Sequence, residues 1–102
     1  MVSVMVILRF RGGADFGGRL QPAVDVLAAK PGFEGADVVQ NLDEPDLWAL
    51  VMRWKDVGSY RRALGGYESK VVVVPLLSEA VDEASAYDFP ERVGENIPRA
   101  GG

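Results

Sequence analysis

Trp54 and Tyr60 have the most to offer chemically in this chain of 102 residues. An indole presents a broad flat face and one N–H donor, and a phenol six positions later presents a ring and a hydroxyl. Together they could orient a flat aromatic molecule and hydrogen-bond a phenolate or carbonyl oxygen. The same residues also suit a plain structural role, Trp54 as a large core residue and Tyr60 as a helix residue with its hydroxyl in solvent. Tyr67 and Tyr87 are recommended only by their position in hydrophobic stripes. Arg9 and Arg53 lie on strand faces that otherwise read as apolar, where a lone charge is costly. Each is expected to pair with an acid (Asp37 or Asp82), to hold an anionic ligand, or to reach the edge of an interface.

What is missing narrows the chemistry further. The chain contains no cysteine and no histidine. Thiolate metal sites, disulfides and cysteine nucleophiles are excluded. So are a Ser-His-Asp triad and any site built on imidazole. Asp15, Asp43, Asp46 and Asp56 read as turn and cap residues rather than metal ligands. Gly12-Gly13 and Gly17-Gly18 lack the spacing of a dinucleotide fingerprint. No cofactor and no metal are expected. Net charge is −4, and no basic run exceeds Arg61-Arg62, so neither nucleic acid nor an anionic membrane is an expected partner. The apolar start, Val2 to Leu8, is too short to span a bilayer and lacks signal-peptide flanks, so a cytoplasmic location is expected.

Certain elements must position these residues. Val2 to Phe10 reads as a strand, with Val2, Val4, Val6, Leu8 and Phe10 on one face and Ser3, Met5, Ile7 and Arg9 on the other. A glycine-rich loop follows, then a helix expected to be firm from about Gln21 to Ala29, with Pro31-Gly32 as its stop. Phe33 to Leu42 is a second strand and Leu47 to Trp54 a third, joined by a turn at Asp43-Glu44-Pro45-Asp46. On the third strand Trp48, Leu50, Met52 and Trp54 share a face. Asp56 is placed to cap the next helix. Its stripe is Val57, Tyr60, Leu64, Tyr67, Val71 and Val74, bent at Gly65-Gly66. Val81 to Phe89 is the fourth strand, and residues 90–102 read as a loose polar tail. The order β-α-β-β-α-β is the split βαβ arrangement of an α+β, ferredoxin-like domain. Its four-stranded antiparallel sheet is apolar on both faces.

With these elements placed, the chain resembles the antibiotic-biosynthesis-monooxygenase family. The carrying residues are Lys30-Pro31-Gly32-Phe33, Asp43-Glu44-Pro45, Leu50-Val51-Met52-Arg53-Trp54, Asp56-Val57-Gly58-Ser59-Tyr60 and Pro75-Leu76-Leu77, so the likeness covers residues 2–89. It implies a domain at 1–89 followed by the 90–102 tail, and a homodimer in which two sheets meet as a β-barrel-like assembly. Trp54 and Tyr60 match the family's site Trp and Tyr, and so become the catalytic candidates. Leu50, Leu64 and Tyr67 become candidates for the pocket wall. Two departures are plain: Leu50 stands where cofactor-free oxygenases of the family carry Asn, and Val74 where they carry Arg. Leu64 stands where the haem-degrading branch carries His, which argues against haem degradation. A haem-binding protein with Tyr or Met as ligand is a remote reading. The function implied is cofactor-independent oxidation by O2 of an electron-rich aromatic of the anthrone or hydroquinone kind. The alternative is a non-catalytic dimeric module that binds a small molecule or supports a partner enzyme.

Overall fold

The structure is a computed structural model and describes residues 3–96. Strand β1 (Val4–Arg11) leads into helix α1 (Phe16–Ala28), then strands β2 (Phe33–Gln40) and β3 (Leu47–Trp54). Helix α2 (Val57–Ala63) is followed by a π-helical turn (Ser69–Val73) that runs into α3 (Val74–Leu77). A short strand β4 (Ala86–Tyr87) and helix α4 (Pro90–Asn96) complete the described chain. The sheet order is β2-β3-β1-β4, with every pairing antiparallel. This is the ferredoxin-like α+β arrangement that the element order implies.

The register follows the two-residue alternation of the strands. Val4 faces Trp54, Val6 faces Met52, Leu8 faces Leu50 and Phe10 faces Trp48. On this inner face the side chains of Val4, Val6, Phe10, Leu50, Met52 and Trp54 are buried, under Phe16, Leu20, Ala23 and Leu27 of α1 and Tyr60, Val73 and Leu76 of the second helical segment. Removing side chains of this size from water contributes roughly 1.5–3 kcal/mol each. The other face carries Met5, Ile7, Ala49, Val51 and Val39, which stay half-buried or exposed with no helix over them. The β2–β3 turn is fixed by Asn41, whose Oδ1 accepts from the backbone N–H groups of Asp43 (2.9 Å) and Glu44 (2.8 Å). That local bonding ends β2 at Gln40, two residues short of the expected Leu42.

Five expectations from sequence need correction. Helix α1 begins at Phe16, not near Gln21. Phe16 docks on Phe10 (centroids 5.4 Å apart), and Gly17 passes so close to Trp48 that a Cβ there would lie 2.7 Å from the indole. Tertiary packing thus overrides the poor helix propensity of Gly17, Gly18 and Pro22. In the second helical segment, Tyr67, Val71 and Val74 are exposed, while Ser69, Val73 and Leu76 are buried. The positive φ of Gly66 (88°) and the wider π turn rotate the stripe by two positions.

Strand β4 is two residues long rather than Val81 to Phe89. Pairing persists around it, with Val81 N–H donating to Arg9 O (2.7 Å) and Ile7 N–H to Ser85 O (2.7 Å). Between them the chain departs from the ladder, and Glu83 accepts two bonds from the Arg9 guanidinium (2.6 and 2.7 Å). Arg9 therefore pairs with Glu83, not with either expected acid, while Arg53 does approach Asp37 (3.7 Å). Finally, Pro90–Asn96 form a helix where a loose tail is expected. Val2 and residues 97–102 lie outside the described residues.

Two of these contacts set an acid limit. The hydrogen bond from Arg9, reinforced by its charge, holds Glu83 below the usual carboxylate pKa. The backbone bond from Ser59, then its hydroxyl, does the same for Asp56. Between the folded and unfolded values the unfolded chain binds more protons, so stability is full above about pH 4.5 and falls as pH drops through the lower folded values. Thermal midpoints should be flat from pH 7 to 5 and decline below, and Glu83→Gln should flatten the decline.

Candidate functional site

Trp54 is the last residue of β3 and sits between Val4 of β1 and Phe33 of β2 in the ladder. It is fully buried. Phe33 packs edge-on against it, with centroids 5.2 Å apart at 85°, and Tyr60 lies 5.8 Å away at 52°. Tyr60 is carried by α2, whose start is fixed by Asp56: its Oδ1 accepts from the Ser59 backbone N–H at 2.7 Å. The strand end and the capped helix start are only a few residues apart, so Trp54 and Tyr60 meet with little freedom to separate.

The two donors of this pair are in an unusual state. The Trp54 Nε1–H is buried, and no described residue accepts its hydrogen bond. Trp48, by contrast, donates to Gly13 O at 3.1 Å. A buried donor left unpaired costs about 1–3 kcal/mol, so such groups are rare in finished cores. Tyr60 is 9% exposed, and burial raises the pKa of its phenol. It therefore stays protonated, and a donor, at neutral pH. The pair can offer two hydrogen bonds to an oxygen that carries developing negative charge, and it supplies no base.

The other sequence candidates are dispersed. Leu50 shares the inner face of β3 and is fully buried. Four strand residues place it roughly 13 Å along the strand from Trp54. Leu64 is half-buried at the end of α2. Tyr67 is 84% exposed beyond the Gly65-Gly66 turn, so in this protomer it walls no pocket with Trp54.

A cavity of about 210 Å³ opens beside the pair rather than onto it. Its wall includes Val4, the ladder partner of Trp54, and Val57 and Arg61, which flank Tyr60 on α2. The far side is formed by Tyr87, Asp88 and Val93. Sequence reasoning placed Tyr87 and Asp88 on the expected fourth strand, Tyr87 recommended only by its stripe position and Asp88 given no role, and missed Val93 because Pro90 onward read as a tail. The available signal was Asp88 with Arg92 four residues on, a helical ion-pair spacing across Pro90. Among the described residues no three His, Cys, Asp or Glu side chains converge in a way that could hold a metal. No helix among them is long and apolar enough to cross a membrane.

The sequence model of the family described as antibiotic biosynthesis monooxygenase matches residues 1–73. No curated protein matches the chain. Among solved structures, SnoaB of Streptomyces nogalater, described as a cofactor-independent oxygenase, is similar at 21% identity, with a TM-score of 0.72 over 87% of this chain and 94% of that one. A conserved protein of Methanosarcina mazei Go1 is also 21% identical, with a TM-score of 0.64 over 86% and 93%. Rv0793 of Mycobacterium tuberculosis is 16% identical, with a TM-score of 0.63 over 85% and 92%. At such identities the structural likeness speaks for the fold alone, whereas the family match spans well over half the chain. The chain belongs to the antibiotic biosynthesis monooxygenase family.

Proposed function

We propose that this protein is a cofactor-independent oxygenase of a small electron-rich aromatic, of the anthrone or hydroquinone kind, and that it works as a homodimer. The observation that carries the reading is the buried Trp54 Nε1–H, whose hydrogen bond no described residue accepts, beside the protonated Tyr60 hydroxyl. Two donors in a dry, apolar setting are suited to stabilising an oxyanion. Substrates of this class carry the redox chemistry themselves. Loss of a proton from an anthrone methylene leaves a delocalised anion, which passes one electron to O2. The resulting radical and superoxide join as a peroxide, and loss of water from the protonated peroxide leaves a carbonyl. The balance is one CH2 and one O2 consumed, one C=O and one water formed. Trp54 and Tyr60 would hold the substrate oxygen as charge builds on it, and the sheet and helices would keep water away.

A second reading, a dimeric small-molecule-binding module, is favoured by one observation: Trp54 lines neither the cavity of about 210 Å³ nor two smaller ones of about 140 and 160 Å³. Oxygen uptake with a panel of anthrones and hydroquinones, with no flavin or metal added, separates the two. The oxygenase reading expects uptake well above the spontaneous rate, and a fall of about 100-fold in Trp54→Phe, the usual scale for losing one oxyanion donor. Uptake at the spontaneous rate across the panel, with folded protein, favours the binding module. The homodimer is supported by the open sheet face, where Ile7 and Val51 form a cross-strand apolar pair flanked by the Arg9–Glu83 and Arg53–Asp37 ion pairs. Light scattering at micromolar concentration should give twice the 11.0 kDa chain mass, and a strictly monomeric mass would refute it.

A further inference from the structure

The oxygenase reading lacks a base: the chain has no histidine, and the Trp54–Tyr60 pair only donates. We propose that Asp88 is the group that takes the acidic proton from the substrate, in the cavity between β4, α2 and α4, with Arg61 facing the ring edge that loses it while Trp54 and Tyr60 hold the substrate oxygen. This rests on the oxygenase reading and names its proton acceptor and its substrate class: carbon or phenol acids whose conjugate base is a delocalised oxyanion.

Three observations support the assignment. Asp88 lines the cavity of about 210 Å³, yet its side chain is only 13% exposed. Its Oδ1 is fully engaged, accepting from the Phe89 backbone N–H (2.7 Å) and from Nε (3.0 Å) and Nη2 (2.7 Å) of Arg92. No described residue donates to Oδ2, so the carboxylate is oriented through one oxygen and leaves the other able to take a proton. The third, independent observation is Arg61. It lines the same cavity, and among the described residues no carboxylate lies within ion-pair distance of it. The cavity is thus lined by one carboxylate engaged through Oδ1 and one cation with no acid partner among the described residues, beside the apolar Val4, Val57 and Val93.

The volume also limits what enters. About 210 Å³ is below the roughly 300–1,000 Å³ that enclose a whole drug-sized ligand. The cavity fits one ring edge, the part that bears the acidic hydrogen, while the remainder of the molecule lies elsewhere. In the proposed step the substrate C–H or O–H bond breaks and its electron pair remains in the ring system. The proton forms an O–H bond at Asp88, and the anion faces Arg61. Burial works to raise the Asp88 pKa, but the bonds from Arg92 and Phe89 outweigh it and hold the net value below the usual range. The residue is thus a carboxylate at neutral pH, and its acceptance of a proton depends on the anion facing Arg61. Among the described residues the charged and titratable groups around it are Arg92 of α4, Arg61 of α2 and Tyr87 of β4.

Proton removal can be read without oxidation. Under anaerobic conditions in D2O, exchange of the anthrone methylene hydrogens for deuterium is followed by NMR, with wild type, Asp88→Asn and Asp88→Glu. Asn keeps an oxygen for Phe89 and Arg92 to bond, and thermal unfolding checks that each variant is folded. The expected result is exchange accelerated by the wild type, reduced about 100-fold in Asp88→Asn, the scale of a general base, and partly restored in Asp88→Glu. Exchange undiminished in Asp88→Asn overturns the assignment. So does a wild type that leaves exchange at the solvent rate, whatever its oxygen uptake. Oxygen uptake alongside then shows separately whether the oxygenase reading stands: uptake without Asp88-dependent exchange overturns the base alone, and exchange without uptake overturns the oxygenase alone.

Discussion

Trp54→Ala should lower the free energy of unfolding by about 3–5 kcal/mol, a large part of the roughly 5–15 kcal/mol that holds a small domain together. The side chain is fully buried at the junction of three strands and packs against Phe33 and Tyr60. Its removal leaves a void that strand backbones cannot collapse to fill. Trp54→Phe is the informative comparison. It keeps a ring in place and removes a buried donor that no described residue satisfies. Losing an unpaired donor gives back about 1–3 kcal/mol, which offsets much of the lost packing. Trp54→Phe should therefore unfold within about 1 kcal/mol of wild type while oxygen uptake collapses. Urea titrations at unchanged slope measure the first and an oxygen electrode the second. If both variants cost several kcal/mol, the indole N–H has a structural partner and the functional reading of Trp54 loses its basis.

The second large effect is expected at Gly32. Its φ is +91°, where side chains are strained, and a Cβ built there would lie 2.4 Å from the Ser59 side chain. Strain and overpacking together should cost roughly 2–4 kcal/mol in Gly32→Ala. The consequence reaches the site. Gly32 O accepts from the Lys55 N–H at 2.8 Å, and Ser59 is held by the Asp56 cap. A shift of Ser59 would pull the start of α2, and Tyr60 with it, away from Trp54. Ser59→Gly in the Gly32→Ala background should recover the steric part of the loss but not the strain. Full recovery would show that the positive φ costs nothing here, and no recovery would show that the clash is relieved elsewhere. Denaturant melts of the two single variants and the double variant decide this.

What could be read from sequence, and what could not, follows from how local each signal is. The strand faces were legible because Val4-Met5-Val6-Ile7-Leu8 and Leu47 to Trp54 alternate faces at a period that only a strand has. Trp54 and Tyr60 were legible because Asp56 between them is a local cap. The start of α1 was hidden because Phe16 is held by Phe10 and Gly17 lies against Trp48, contacts that no local pattern announces. The burial of Ser69 was hidden too. Its hydroxyl donates to Ala63 O at 2.6 Å across the Gly65-Gly66 turn, and the π turn that brings it there has no residue-type signature. Asp88 was invisible as a site residue because its cavity is assembled from β1, α2, β4 and α4, segments that only the fold brings together.

Indole N–H resonances test the placement of the reacting oxygen most directly. The chain has two tryptophans. Trp48 donates to Gly13 O, and Trp54 donates to no described residue. In a ¹⁵N–¹H spectrum, assigned with Trp54→Phe, a non-oxidisable hydroxyanthraquinone is titrated into the protein. If a substrate oxygen occupies the Trp54–Tyr60 site, the Trp54 Nε1–H signal moves downfield as it gains an acceptor and the Trp48 signal stays in place. If the Trp54 signal stays fixed while the ligand binds, the oxygen is held elsewhere and the central claim is contradicted.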